Sequence, residues 1–281
     1  MTKRIGIIGY PLSHTLSPVF HQAGLDHVGF DAKFEAWPTP PSELERIVGS
    51  FRDSDCIGAC ITLPYKQAVM PLLDELDESS KTIGAVNWIQ NCEGKLIGHN
   101  TDAPGFIRAL REEFGVDPEG MSAVVFGAGG VARAIAFALR DTKVKRLVIA
   151  NRSVHKAQTL AADVRQGRFR PEAIGLSKDE LADVVPYSDL LVNGTSMGMT
   201  GGPAPSNSPV SGDIVANTAF GYDAVYAPTV TPFMNAIERA GGRAATGLSM
   251  LVYQGVIGFE LCTGIPAPTK VMMEAIVSAS R

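Results

Sequence analysis

Apolar and polar positions along this chain follow two alternating rhythms. In the first third, short β-rich runs at 4–8, 32–37 and 57–63 are separated by stretches with helical spacing, which predicts strands alternating with helices. Ser42-Glu43-Leu44-Glu45 has the serine and the third-residue acid of a capping box and predicts a helix start. Residues 102–114 place Phe106, Ile107, Leu110 and Phe114 on one helical face with Gly115 as the stop, a helix that reads as the bridge between two domains. From Ser122 the pattern restarts: strand 123–126, a glycine turn, helix 131–140, strand 146–150, then helix, strand and helix. That alternation predicts a doubly wound parallel sheet. Ser177-Lys178-Asp179-Glu180 is a second capping box, Thr231-Pro232 marks another helix start, and the Gly/Pro/Ser-rich segment 194–212 reads as a long loop. Helical patterns at 248–263 and 269–279 close the chain.

Composition narrows the class. With 281 residues, the length predicts about two domains. Hydrophobic residues make up 45%, which suits packed α/β cores, and a net charge of -4 argues against nucleic acid as a partner. The basic start Met1-Thr2-Lys3-Arg4 leads into an apolar run that ends at Gly9-Tyr10-Pro11, too short for a signal-peptide core, and no stretch reaches membrane-spanning length. Cys56, Cys60, Cys92 and Cys262 form no C-x-x-C pair and have no histidine at metal-ligand spacing. The expectation is a cytoplasmic protein with reduced thiols and no metal, a monomer or homodimer.

Gly127-Ala128-Gly129-Gly130-Val131-Ala132 fits G-x-G-x-x-A between an apolar strand and a helix, the context in which such a turn cradles a pyrophosphate. Gly127 permits the tight turn, Gly129 lets phosphate approach the backbone, Ala132 allows close helix packing, and the helix start at Gly130 and Val131 offers unpaired N–H groups. After the next strand, where an NAD site usually carries an acid, stands Asn151-Arg152-Ser153. A carboxylate there would repel a 2'-phosphate, whereas the Arg152 guanidinium pairs with it and Ser153 adds a hydroxyl at a helix start. The expected cofactor is NADP rather than NAD.

Four further clusters carry substrate chemistry. Gly9-Tyr10-Pro11-Leu12-Ser13-His14-Thr15-Leu16-Ser17-Pro18 sets hydroxyls before a helix, suited to a carboxylate. Thr62-Leu63-Pro64-Tyr65-Lys66, Gly84-Ala85-Val86-Asn87 and Gly98-His99-Asn100-Thr101-Asp102 add a threonine, an ammonium, an amide and a carboxylate. His14, His21 and His99 are paired with neither nucleophile nor metal and are read as structural.

These clusters, together with Asn193-Gly194-Thr195-Ser196-Met197-Gly198, Asp223-Ala224-Val225-Tyr226-Ala227-Pro228 and Gly247-Leu248-Ser249-Met250-Leu251-Val252-Tyr253-Gln254, resemble the shikimate dehydrogenase family in order along nearly the whole chain. The resemblance implies an α/β substrate domain at 1–105, completed by 245–281 whose C-terminal helices return to it, and a Rossmann-type NADP domain at 106–244. It implies reversible NADPH-dependent reduction of 3-dehydroshikimate to shikimate in aromatic amino-acid biosynthesis. Thr15 and Ser17 would hold the carboxylate, Thr62, Asn87 and Gln254 the ring hydroxyls, and Lys66 with Asp102 the proton. Tyr226, Gly247 and Met250 would join Gly127, Ala128, Gly129, Gly130, Val131, Asn151, Arg152 and Ser153 as cofactor-binding residues. Three positions depart from the family pattern: Thr15 where serine is common, Cys60 where asparagine usually stands, and Trp88, read as core filling, where threonine follows Asn87. A thiol cannot replace an amide that both donates and accepts, so Cys60 leaves quinate, an amino-shikimate or another cyclic hydroxy acid as alternative substrates. A catalytically silent nucleotide-binding regulator would lack the Lys/Asp pair.

Overall fold

The computed structural model describes residues 2–12 and 15–280, so Ser13 and His14 of the hydroxyl-rich turn lie outside the described residues. Two units divide the chain, Met1–Gly105 with Leu251–Arg281, and Phe106–Met250.

The first unit is built on β1 (Lys3–Gly9), whose last five residues are all buried because neighbours cover it on both sides. After it come α1 (Ser17–Val28), β2 (Ala32–Pro38), α2 (Leu44–Ser50), β3 (Cys56–Ile61), β4 (Glu75–Leu76), α3 (Glu78–Ile83), β5 (Trp88–Cys92), β6 (Lys95–His99) and the start of α4 (Asp102–Phe114). The sheet order is β2-β1-β3-β5-β6-β4. β1 runs parallel to β2 and β3, while β5 is antiparallel to both β3 and β6. The reversal comes from a two-residue turn, Glu93 (φ 53) and Gly94 (φ 90), closed by Gly94 N–H donating to Asn91 Oδ1 at 2.7 Å. Two positive φ values match the turn to the twist of the hairpin strands.

The expected capping box at Ser42 does not form. A 3-10 turn at Pro41–Glu43 precedes α2, Glu43 is the N-cap residue, and among the described residues no side chain caps either segment. Pro40 and Pro41 start the turn early, so Ser42 falls inside it rather than at its edge.

The second unit contains β7 (Ser122–Phe126), α5 (Gly130–Asp141), β8 (Arg146–Ala150), α6 (Val154–Val164), β9 (Glu172–Ile174), α7 (Lys178–Ala182), β10 (Leu190–Asn193), β11 (Phe220–Asp223), α8 (Pro232–Arg239) and β12 (Arg243–Thr246). Its sheet is wholly parallel in the order β12-β11-β10-β7-β8-β9. Chain order therefore reverses between β7 and β10, the switch point at which open parallel sheets bind ligands. Val124, Phe126, Val148, Leu191, Phe233 and Ile237 form part of its core, each fully or almost fully buried. Ser177 does cap α7, accepting from Glu180 N–H at 3.4 Å, and Thr231 caps α8, accepting from Met234 N–H at 3.1 Å.

The chain ends with α9 (Leu248–Thr263) and α10 (Thr269–Ala279). The boundary between units falls at Met250/Leu251, one turn into α9, rather than at 245. The physical tie is the Tyr222 hydroxyl on β11, which accepts from Met250 N–H at 3.2 Å and pairs with Ser249 Oγ at 3.2 Å. Among the described residues no helix is long and apolar enough to cross a membrane.

Candidate active site

In the first unit, Lys66 follows the end of β3 and Asp102 opens α4. Lys66 Nζ donates to Asp102 Oδ2 at 2.6 Å, with side chains only 10% and 5% exposed. The other oxygen, Asp102 Oδ1, accepts from Asn87 Nδ2 at 3.0 Å. Asn87 is held in turn, because its Oδ1 accepts from Thr101 N–H at 2.7 Å. Its amide hydrogens are shared further with Thr101 Oγ1 at 2.8 Å and Gln254 Oε1 at 3.1 Å. Residues from β3's exit, β5's entry, α4 and α9 thus form one buried network around an ion pair. Removing either charge would strand the other in low dielectric.

Other substrate-side positions are hydrogen-bonded elsewhere. Thr62 lies directly after β3, with its N–H donating to Ile8 O at 2.9 Å. Thr15 Oγ1 accepts from Ser17 N–H at 3.3 Å, and Ser17 is the buried first residue of α1. Among the described residues no hydrogen bond links these three side chains to Lys66 or Asp102. Cys60 is buried beside the pair, and burial pushes its thiol up to about 12 against the opposing pull of Lys66. It is therefore a neutral thiol, not a nucleophile. His21 is fully buried among Phe20, Phe34 and Trp88, and burial alone brings its pKa down to about 3, so it stays neutral. His99 faces Asp77 at 3.2 Å.

In the second unit the expected cofactor residues gather at the C-terminal ends of the parallel strands. Gly127 adopts φ +111 after β7, and a Cβ there would lie 3.0 Å from Gly194 O. Gly194 approaches so closely that its own Cβ would come 2.8 Å from the Ala132 methyl, which accounts for the small residue at the end of the fingerprint. Over Gly129, the N-cap of α5, a Cβ would meet nothing within 4 Å, and among the described residues no side chain caps the helix. Open space over bare helix N–H groups is what a phosphate needs. A cavity of about 200 Å³ is lined by Ala128, Gly129, Asn151, Arg152, Ser153 and Lys156. The lining holds two cations and no acid, so the residues present fit a phosphorylated dinucleotide. Asn151 Nδ2 donates to Ser153 O at 3.0 Å, which shapes the entry to α6. Lys156 was missed in the sequence, although a cation three residues after the helix-opening Ser153 was a readable signal. Gly247 is forced by Ala224 O, which a Cβ would strike; Tyr226 is half-buried after β11, and Met250 is buried.

Beneath this surface lies a second buried network. Asp223 Oδ1 accepts from Asn193 Nδ2 at 2.9 Å and Val225 N–H at 2.9 Å, and Oδ2 accepts from Thr231 Oγ1 at 2.5 Å. Asn193 Oδ1 accepts from Thr195 N–H at 3.0 Å, so the carboxylate anchors the turn that packs on Gly127. Burial raises the Asp223 pKa to about 6 despite these donors.

A parallel sheet with a glycine turn at its switch point, joined to a unit with a buried lysine–aspartate pair, defines a two-domain protein of the nucleotide-dependent oxidoreductase class. Family profiles match along the chain: the shikimate dehydrogenase substrate binding domain at 7–89, shikimate / quinate 5-dehydrogenase at 109–199, and the shikimate 5'-dehydrogenase C-terminal domain at 247–277. This chain belongs to the shikimate dehydrogenase family. It is 41% identical to the shikimate dehydrogenase (NADP(+)) of Methanopyrus kandleri, over 100% of this chain and 97% of that one. The crystal structure of shikimate 5-dehydrogenase from Thermus thermophilus in complex with NADP(H) and shikimate is similar at a TM-score of 0.88 and 34% identity, covering 99% of both chains. Quinate dehydrogenase from Corynebacterium glutamicum in complex with NAD is similar at 0.89 and 30% identity, again over 99% of both.

Proposed function

We propose that this chain is an NADP-dependent shikimate dehydrogenase, reducing 3-dehydroshikimate reversibly to shikimate, with the first unit binding substrate and the second the cofactor. The observation that carries this reading is the buried Lys66–Asp102 pair at 2.6 Å in a chain whose other unit offers Arg152 and Lys156 around a glycine turn. NADPH supplies the hydride. Lys66 donates a proton to the developing alkoxide and stabilises its charge, while Asp102, itself held by Asn87, keeps the ammonium in place. Thr15 and Ser17 bind the substrate carboxylate; Thr62, Asn87 and Gln254 bind ring hydroxyls. Gly127, Ala128, Gly129, Gly130 and Val131 take the pyrophosphate, and Asn151, Arg152, Ser153 and Lys156 the 2'-phosphate. Tyr226, Gly247 and Met250 contact the cofactor further along the strand ends. The enzyme works in the cytoplasm as a monomer or homodimer.

A second reading follows from Cys60. The neutral thiol beside Lys66 and Asp102 offers no amide, and a related quinate dehydrogenase exists, so quinate or an amino-shikimate is the rival substrate. Initial rates with NADP and a panel of shikimate, quinate and amino-shikimate decide between them. The expected result is highest kcat/KM with shikimate; negligible shikimate turnover beside brisk turnover of another acid would transfer the assignment to that acid.

A further inference from the structure

Asn193 closes β10 and is fully buried at the switch point of the second unit. Its side chain uses every hydrogen-bonding position it has. Oδ1 accepts from Thr195 N–H at 3.0 Å and from Thr195 Oγ1 at 2.6 Å. Nδ2 donates to Met197 O at 3.1 Å and to Asp223 Oδ1 at 2.9 Å. A backbone carbonyl only accepts and a backbone N–H only donates, so Met197 and Thr195 already demand one orientation of this amide, and the Asp223 carboxylate agrees with it. Among the described residues, Thr195 N–H and Met197 O have no other hydrogen-bond partner. One side chain therefore folds residues 194–197 into a turn around itself.

That turn meets the glycine fingerprint at both of its ends. A Cβ on Gly127 would lie 3.0 Å from Gly194 O and 3.1 Å from the Thr195 methyl, and a Cβ on Gly194 would lie 2.8 Å from that of Ala132. On the side of β8 the fingerprint turn is held by a hydrogen bond, Gly127 N–H to Ala150 O at 2.8 Å. On the side of β10, beyond the Gly194 N–H bond to Phe126 O at 2.8 Å, it has contact alone. Contact supports a neighbour only if what lies behind it is stiff, and four saturated hydrogen bonds on a buried amide supply that stiffness.

We infer that Asn193 is a positioning residue for the cofactor: its amide builds the turn against which the fingerprint is seated, and so sets where the fingerprint N–H groups meet the pyrophosphate. The inference rests on the proposal that Gly127, Ala128, Gly129, Gly130 and Val131 take the pyrophosphate. Because NADP and NAD share that group, Asn193 serves both, unlike Arg152.

Steady-state kinetics of Asn193→Ala, Asn193→Asp, Asp223→Asn and the double variant of the last two test it, with thermal melts to establish that each is folded. Asn193→Ala should raise the KM for NADP and for NAD alike by about tenfold, the scale of a lost buried hydrogen bond, while kcat and the shikimate KM change less than about threefold. Asn193→Asp should raise the NADP KM at least as far, since it sets oxygen against Met197 O and a second carboxylate against Asp223. Adding Asp223→Asn returns a donor to that contact and should bring the NADP KM back by about threefold or more, although Asp223→Asn alone raises it slightly. Gly129→Ala is the control for the seat itself: a Cβ there meets nothing within 4 Å of the protein but would stand where the phosphate sits, so the NADP KM should rise without loss of melting temperature. A wild-type NADP KM in Asn193→Ala beside a raised one in Gly129→Ala would overturn the positioning role and leave the pyrophosphate seat intact. An unchanged NADP KM in Gly129→Ala would overturn the seat and the inference with it. A rise confined to NADP, or no recovery in the double variant, would also overturn the role. Should Asn193→Ala fold poorly, Thr195→Val removes the hydroxyl that joins Asn193 Oδ1 to Met197 N–H yet keeps the methyl beside Gly127. The same rise confined to cofactor KM, of about threefold, is expected there, and a wild-type value would overturn the inference.

Discussion

The two units arrange their polar groups on opposite plans. In the first, Lys66, Asp102, Asn87, Thr101 and Gln254 are all buried, and the strong donors and acceptors are paired with one another. In the second, Arg152 and Lys156 are exposed on a cavity floored by glycine backbone, with no ion-pair partner among the described residues. A buried network is stiff because any member that moves leaves another unsatisfied at low dielectric, which suits a group that must meet a reacting atom. An open cationic cavity works by attraction and bare N–H groups, which suits a multiply charged ligand.

The largest test of this contrast is Lys66→Ala. It should reduce kcat by about 10²- to 10⁴-fold, the range of a lost general acid, in initial-rate assays. The melting temperature should fall too, because breaking a buried pair costs about 3–5 kcal/mol. Near-normal turnover would remove Lys66 from the chemistry. Next comes Arg152→Asp, which should weaken NADP by about 10²-fold through a lost charge-assisted bond and a new repulsion, and NAD by far less. Equal weakening of both cofactors would place the phosphate clasp elsewhere.

The buried ionisable groups beneath the sites should answer acid with opposite signs. Asp223 has a folded pKa of about 6, above its ordinary 3.8, so its contribution to stability is complete below about 3.8 and is lost as pH rises through 6. His21 has a folded pKa of about 3, below 6.5, so its contribution is present above 6.5 and is lost as pH falls toward 3. Denaturant melts between pH 4 and 7 should therefore show Asp223→Asn gaining on wild type as pH rises and His21→Phe gaining as pH falls, each by about 1–3 kcal/mol. The same sign for both variants would contradict this account. The smallest effect expected is ionic: raising salt from about 0.05 to 0.5 M should lift the NADP KM severalfold and the shikimate KM by less than about twofold, since screening acts on the exposed cations.

Much of this architecture was legible beforehand, and unevenly so. Helices α4, α9 and α10 appear at the residues their apolar spacing indicated, because a long amphipathic or apolar helix writes its period into the chain. The β5–β6 hairpin escaped notice. Its turn, Glu93-Gly94, lacks the Asn-Gly or Asp-Gly signal, and its strands are partly polar. Ser42 and Ser177 present the same four-residue motif, yet only Ser177 caps, since prolines ahead of Ser42 reset the helix entry. Lys66, Asp102, Asn87 and Gln254 were named from their motifs, but that Asn87 spends its amide on Asp102, Thr101 and Gln254 was not readable there.

From the chain alone came the alternating α/β order, the glycine turn, the arginine in place of an acid, and the family resemblance, all encoded by neighbours a few positions apart. Tertiary structure alone decided that the Trp88 N–H is given to Gln254 Oε1, because that acceptor stands 166 residues away. It also brought Lys66 to Asp102, 36 residues along, and sealed both from water. Hydrogen bonds and desolvation depend on distance in space, and that becomes defined only once the sheets and helices have packed.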